Sequence, residues 1–401
     1  MAAAVAISLL ALLIVSLQAG YWLLLAIASM RRPRTPAIHP AFPLRRFGIL
    51  VPAHNEEDVI EKTVTSFNKA DYPVGSFEIH VVADHCSDRT ALFAREGGAI
   101  VHERNEGPRS GKGAALAWLF ERVLESDSTD AIVILDADTQ VAPDFLRQMN
   151  SRLALGDQVV QGRHVISNPH EGWLPALVWA MFTIDNRFQN MGRANLGWSA
   201  KNMGDSICFL SHILRNLGWG EGLTDDFELR QRLLLEGIRI AYEPEALGYG
   251  EAPRSVAEAT AQRMRWLRGT RESNRKYRLQ LVRRWLKTRE WCLLDGVLQT
   301  LIPSYSTLTM LCLGASLCHL LMGRFVAPGF PPLLLHGWLV MTGILILYPS
   351  WGLWLERAPL KAYLIILLGP LYVVWRTWLA FRARYIVRDV TWLRTPHGRA
   401  K

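Results

Sequence analysis

The chain lacks most of the signals that mark a soluble cofactor enzyme. Its five cysteines, at positions 86, 208, 292, 312 and 318, are odd in number and form no C-x-x-C pair. That argues against a zinc ribbon or a disulfide framework and fits thiols kept in a reducing compartment. No G-x-G-x-x-G follows the first strand-like run, so a dinucleotide-binding crossover has little support. "GPRSGKG" at 107–113 imitates a phosphate loop, but it is one residue short before Lys112, and Gly113 stands where Ser or Thr would hold magnesium. Charged residues make up 20% of the 401, with a formal charge of +9. The arginines gather beside apolar segments, where anionic lipid heads and the positive-inside rule account for them. No nucleic-acid-binding motif accompanies the charge, so nucleic acid is not expected as a partner.

Long hydrophobic runs are abundant. Half of the residues are hydrophobic, which points to a membrane protein carrying a water-facing domain. Residues 2–30 are almost unbroken apolar sequence, long enough to span about 30 Å of hydrocarbon as a helix. A cleaved signal peptide is the rival reading, with "AIA" at 26–28 as its small-residue site. The missing basic n-region and the length of the run favour an uncleaved anchor over residues 1–31. Arg31, Arg32 and Arg34 then stay in the cytoplasm, with the N-terminus outside. Three more apolar stretches, about 297–322, 333–355 and 360–381, read as C-terminal transmembrane helices. Three crossings put the C-terminus outside, whereas the basic tail, 382–401, prefers the inside. The conflict is relieved if the last stretch, with Trp375, Arg376 and Trp378 near its end, lies in the interface. Residues 269–291 are basic and aromatic at near-helical spacing and read as an amphipathic helix along the membrane surface, or as a solvent-exposed basic helix.

Between 45 and 268 strands and helices alternate. "FGILVPA", "FEIHVVAD", "GAIVHERN", "AIVILDAD" and "QVVQGRHVI" read as strands, with helices near 56–69, 88–96 and 111–126. That pattern argues for a doubly wound, Rossmann-like α/β domain with a mostly parallel sheet. Ligands of such sheets gather at the carboxyl ends of strands, and four clusters fall where such a ligand would be met. Asp84 ends one strand, with Asp88 as the cap of the next helix. Asp136 and Asp138 end another. A lone D-x-D is weak, but one that closes a buried strand suits Mg2+ or Mn2+ carrying a diphosphate. In "LTDDFELRQRLLLEG", Asp225 reads either as a helix cap paired with Glu228, with Gly237 as the stop, or as part of a pocket. Asp226 beside it is suited to take a proton from an attacking hydroxyl. In "QRMRW", Gln262, Arg265 and Trp266 share one helix face, where an arginine can fork onto phosphate and an indole can stack on a sugar. An interfacial helix with arginines toward lipid heads is the competing reading there.

In their order, "LVPAHNEE", "VVADHCSDRT", "RSGKGAAL", "ILDADT", "LTDDFE" and "QRMRW" resemble the signature series of membrane-bound family-2 glycosyltransferases. That group holds cellulose, hyaluronan and poly-N-acetylglucosamine synthases and ceramide glucosyltransferases. The resemblance covers about residues 45–270 and implies a GT-A fold, a UDP-sugar donor, a divalent metal and inversion at the anomeric carbon. It matches Asp84 to a uracil contact, Asp136 to donor binding and Asp138 to metal binding. Asp226 matches the general base of a "TED" motif, written here "TDD" with Asp225 one methylene shorter than glutamate. Gln262, Arg265 and Trp266 match the element that closes on diphosphate and acceptor. Lys112 is expected near the nucleotide, and Glu56 near its base or ribose. Ala83 replaces an aspartate often seen in the uracil loop, and His85 and Cys86 replace small polar residues. The acceptor expected first is a growing polysaccharide or oligosaccharide, with a membrane lipid (ceramide, diacylglycerol or a lipid-linked acceptor) as the alternative. An export partner or further copies of the chain would complete a channel that so few crossings cannot. A transferase-like membrane scaffold without catalysis is the rival of another class. The expected setting is the inner cell membrane with the catalytic domain cytoplasmic. "NLGWSAKNMGDSICF" at 195–209, with Asn202 and Gly204, is expected to line the acceptor pocket.

Overall fold

Short, fully apolar runs without alternation need cover on both faces, and the strands they form here have it. The computed structural model describes residues 2–31, 43–109, 111–125, 128–220, 222–326 and 331–385. Arg32, Arg34, Ser110 and the tail residues Arg388, Arg394, Arg399 and Lys401 lie outside the described residues. The strands are β1 (Phe47–Ala53), β2 (Phe77–Asp84), β3 (Ile100–Arg104), β4 (Ala131–Ile134), β5 (Gln140–Val141), β6 (Val159–Ile166), β7 (Ile207–Leu210) and β8 (Ile240–Gly250). They form one sheet in the order β3-β2-β1-β4-β7-β6-β8-β5.

The sheet has two characters. From β3 to β4 every pairing is parallel, which is the expected doubly wound half. Past β4 the layer becomes mixed, although parallel pairings remain the majority of the sheet, as expected. There β7 runs antiparallel to both β4 and β6, β8 is parallel to β6, and β5 is antiparallel to β8. Strands β5, β7 and β8 were not legible as runs, because β5 is two residues long and β8 carries Pro244 and four glycines or alanines. Successive side chains of a strand point to opposite faces. Thus Ile49 and Val51 of β1 enter one core with Val81, Val133, Phe145 and Met149, whereas Leu50 enters the other with Leu116, Ile134, Phe209 and Leu229.

The helices are α1 (Ala2–Ala28), α2 (Ile60–Ser66), α3 (Thr90–Glu96), α4 (Lys112–Val123), α5 (Phe145–Ala154), α6 (Trp173–Asp185), α7 (Gly192–Asn195), α8 (Ser211–Leu217), α9 (Asp225–Leu235), α10 (Val256–Thr288), α11 (Trp291–Leu301), α12 (Tyr305–Leu321), α13 (Pro332–Leu355), α14 (Leu360–Ile366) and α15 (Gly369–Tyr385). A π-helical segment, Asn186–Met191, joins α6 to α7. Ser255 opens α10 with a capping box: its hydroxyl accepts from Glu258 N–H while the Glu258 carboxylate reaches back. The helix then runs unbroken through 269, so the basic segment expected as a separate helix from 269 to 291 is the second half of the helix bearing Gln262, Arg265 and Trp266. Its Tyr277 and Leu281 are buried, the latter against Leu293 and Val297 of α11.

Among the described residues, three helical segments are long and apolar enough to cross a membrane: Ala2–Ala28, Tyr305–Val326 and Pro332–Leu355. The expected stretch 297–322 is interrupted, because α11 ends at Leu301 and α12 begins at Tyr305 on a Ser304 cap after Pro303. The last stretch is a pair, α14 and α15, bent by 49°. Gly192 lets α7 meet α1 at its backbone, since a methyl group there would strike the carbonyl of Leu25. A buried carboxylate, Asp295 of α11, binds this junction together. It accepts from Tyr21 of α1 (2.6 Å), Arg193 of α7 (3.0 Å) and Arg230 of α9 (3.1 Å). A buried charge is tolerated when it is paired and hydrogen-bonded in this way.

Candidate functional site

The carboxyl ends of β1, β2 and β4 deliver the first group of side chains to one edge. Asp84 closes β2 and is buried. Its Oδ1 accepts from Arg104 Nη1 at the end of β3 (2.5 Å) and from His85 Nδ1 (2.9 Å). His85 adopts φ +52° and also reaches the Gly107 carbonyl at 3.0 Å, so it ties the end of β2 to the loop before α4. Cys86 Sγ accepts from the Asn55 N–H at 3.4 Å and reaches the Ala53 carbonyl at 3.6 Å, joining the β1 loop to the β2 loop. These contacts give His85 and Cys86 a physical account: both hold loops at the sheet edge. Glu56 lies beside them, buried, with its N–H on Thr90 Oγ1 at 2.7 Å. Asp88 does take the first N–H of α3, from Thr90 at 3.0 Å.

After β4 the chain turns through Asp136 and Asp138. Lys112, the first residue of α4, donates to the Asp136 carboxylate and to the Gly204 carbonyl. Burial alone would lower its pKa; the carboxylates of Asp136, Asp225 and Asp205 outweigh that and hold the ammonium charged. Asp138 Oδ2 accepts from the Glu251 N–H at 3.1 Å. Behind the pair stands a couple that the motifs did not flag. Asp205 Oδ1 accepts from the Asp136 N–H at 2.8 Å, and its Oδ2 from His164 Nδ1 at 2.6 Å and Ser206 at 3.0 Å. Burial opposes charge on both residues, yet their mutual contact raises the His164 pKa and lowers that of Asp205. Arg104 had one sequence signal, a basic residue ending a strand at the same edge. Asp205 had only its place after Gly204. His164 had none, because strand pairing across distant segments brings it there.

The opposite wall is the N-terminus of α9. Thr224 is its N-cap and makes no side-chain cap bond. The capping-box reading of Asp225 is therefore corrected: its Oδ2 accepts instead from Trp219 Nε1 at 2.6 Å, and Glu228 accepts from Lys276 (2.7 Å) and Tyr277 (2.6 Å) of α10. The stop holds, since Gly237 (φ +75°) and Ile238 donate to the Leu234 and Leu233 carbonyls as a helix-ending αL turn requires. Asp226, one residue further in, keeps an accessible edge and makes no ion pair among the described residues. Burial first, and then the Asp225 charge, push its carboxyl up to about 6, against the pull of the Phe227 N–H, Lys112 and Arg265. A group poised there can be a base near neutral pH.

Two glycines set the spacing. Gly204 has φ +76°, and a methyl group on it would stand 3.2 Å from Asp226 Oδ2. The same residue's carbonyl receives Lys112, so the Asp136 loop and Asp226 are joined through Gly204. A methyl group on Gly269 would lie 2.5 Å from Thr224 Oγ1, so α10 packs on the start of α9 only because residue 269 is glycine. That contact brings Arg265 within 3.2 Å of the Leu223 carbonyl. The Arg263 guanidinium lies 4.4 Å above the Trp266 ring. Gln262 shares the face of α10 with Arg265 and Trp266, and all three are half-buried.

Among the described residues no group of three or more His, Cys, Asp or Glu forms a ready metal cage. Mg2+ and Mn2+ do not require one, because a nucleotide's phosphates and water complete their shells. Both carboxylates are partly open, the Asp136 side chain being 43% exposed. Asp136 already attracts a cation, so hard oxygen donors fit a hard divalent ion here.

Residues 44–269 match the model of the family described as glycosyltransferase like family 2. The chain is 32% identical over 235 residues to a beta-monoglucosyldiacylglycerol synthase of Trichormus variabilis, covering 55% of this chain and 48% of that protein. It is 26% identical over 254 residues to glucomannan 4-beta-mannosyltransferase 7 of Arabidopsis thaliana, covering 59% and 44%. The chain spans about half the length of the curated relatives it matches. Among solved structures, a mannosyltransferase of Pyrobaculum calidifontis, in complex with GDP-mannose and Mn2+, superposes with a TM-score of 0.54 at 18% identity, over 88% of this chain and 97% of that one. The architecture is thus the GT-A fold with apolar helices attached. With the family model matched over more than half of its length, the chain belongs to the family-2 glycosyltransferases.

Proposed function

We propose that the protein transfers a hexose from a UDP-sugar, with inversion, to a hydroxyl presented at the membrane surface. The observation that carries this reading is the junction at Gly204, where the cation-binding Asp136 loop and the raised-pKa carboxylate of Asp226 face one cleft. Asp226 takes the proton of the acceptor hydroxyl. The acceptor oxygen bonds to the anomeric carbon as the bond to the diphosphate breaks on the opposite face. Lys112 and Arg265 supply positive charge toward the departing diphosphate. Asp136 and Asp138 would hold Mg2+ or Mn2+, which when bound neutralises charge on that leaving group. Asp84, fixed by Arg104, and Glu56 border the place of the nucleoside, with Asp225 holding the wall beside Asp226. Gln262 and Trp266 border the sugar and acceptor.

Two acceptor classes follow from the relatives. The saccharide reading has the glucomannan mannosyltransferase behind it. The lipid reading has the more similar glucosyldiacylglycerol synthase, and that ordering puts a glycerolipid hydroxyl ahead of a polysaccharide. Attachment by α1, α12 and α13, with the catalytic domain on the cytoplasmic face of the inner membrane, suits either. Membranes containing the protein, incubated with labelled UDP-glucose or UDP-N-acetylglucosamine and then divided into lipid extract and insoluble polymer, test both. Label in the lipid fraction is the expected result, and label in polymer restores the saccharide acceptor. No label in either fraction with any nucleotide-sugar overturns the transfer reading in favour of a scaffold.

A further inference from the structure

A cavity lined in part by His164 lies outside the group of carboxylates described above. It has a volume of about 140 Å³ and is walled by β6 from Arg163 to Ile166, by α6 and by the turn from 356 to 359. This is smaller than the roughly 300–1,000 Å³ of sites for drug-sized molecules, so it suits a headgroup rather than a whole nucleotide-sugar.

Its charge is lopsided. Glu356 is buried and accepts from Arg163 (2.8 Å) and Arg187 (3.3 Å). Arg357, an exposed residue with backbone φ +52°, also lines the cavity. His164 is committed to Asp205. Two arginines, Arg163 and Arg357, and one carboxylate line the cavity, leaving an excess of positive charge on its wall, and Arg163 Nε is buried without a hydrogen-bond partner. Arginine donors with unspent capacity match phosphate oxygens. Trp179 and Phe182 give the cavity an apolar side.

The position selects the source of that phosphate. The turn from 356 to 359 connects α13, a candidate span, to α14 of the bent pair. Beside it on α14, Leu360 and Leu364 are 82% and 65% exposed, an apolar strip suited to acyl chains. We propose that this cavity binds the phosphate-bearing headgroup of an anionic membrane lipid, at a site distinct from the donor cleft.

The test uses the full chain purified in detergent and titrated with dioctanoyl phosphatidylglycerol, binding being followed by calorimetry without any nucleotide-sugar. Its outcome is thus independent of the transfer reading. Arg163→Gln and Arg357→Asn should each weaken this lipid by about tenfold, the scale of one lost charge-assisted contact. Arg163→Gln also removes a partner of Glu356. Arg357→Asn is the cleaner variant, because asparagine tolerates the left-handed backbone. Thr183→Leu, which fills the cavity without changing charge, should weaken binding too. Unchanged affinity in Arg357→Asn and Thr183→Leu overturns the site. Glycerol 3-phosphate binding as tightly as the lipid overturns the membrane source.

Discussion

The two walls of the cleft use the same side chain for opposite purposes. On the parallel-sheet wall, Asp84 and Asp136 each accept from a cationic side chain, Arg104 and Lys112. On the helical wall, Asp226 sits at a helix start, where the dipole favours an anion, yet burial and its neighbour Asp225 keep its proton on to about pH 6. The difference lies in the surroundings, not the residue type. A carboxylate that meets a fixed cation is held by it, whereas burial first, and then a second carboxylate, raise the pKa of Asp226.

The sharpest way to break that comparison is Asp226→Asn. Transfer should fall by about 10³–10⁴ in kcat, the upper range for a general base, while UDP affinity by calorimetry stays within about twofold. A variant that still turns over would end the base assignment. Next in size is Asp295→Asn, which attacks the support of the helical wall instead. Leaving Arg193 and Arg230 short of a partner should cost roughly 3–5 kcal/mol, read as a lower thermal unfolding midpoint. On the sheet wall, Asp138→Ala should weaken UDP-sugar binding roughly 100-fold in the presence of Mn2+ (about 2.7 kcal/mol), with little change when the metal is chelated. Equal loss with and without metal would remove Asp138 from cation binding.

The smallest effect is the most diagnostic of the contrast. Asp226 has a folded pKa near 6 against an ordinary 3.8, so the folded state binds its proton more tightly than the unfolded chain. That stabilisation is complete below about pH 4 and is lost as pH rises through 6. At pH 8, Asp226→Asn should therefore be more stable than the parent by about 1–2 kcal/mol, a two-unit shift discounted for its accessible edge and read as a higher unfolding temperature. At pH 4 the gain should vanish. In the parent, kcat/KM should rise with pH up to about 6 and then level. A profile flat from pH 5 to 8 would contradict a raised Asp226.

Much of this was legible in advance where a local pattern carried it. Apolar runs ending in aspartate announced β2 and β4, and the i, i+3, i+4 spacing put Gln262, Arg265 and Trp266 on one face of a helix. Local patterns failed where the partner was remote. Asp225 read as a cap from its neighbours, but Trp219 claims it from a folded loop. The pairing of β7 between β4 and β6 has no counterpart in any short window.

The sequence by itself determined the apolar helices, the parallel half of the sheet and the places of the candidate carboxylates, because burial pattern and residue chemistry are properties of short stretches. Only the tertiary structure decided what those carboxylates are. It set Asp205 and His164 behind Asp136, brought Gly204 against Asp226, and let α10 close on α9 at Gly269. Burial and spacing depend on which groups meet across the fold, and most of those meetings join residues dozens of positions apart.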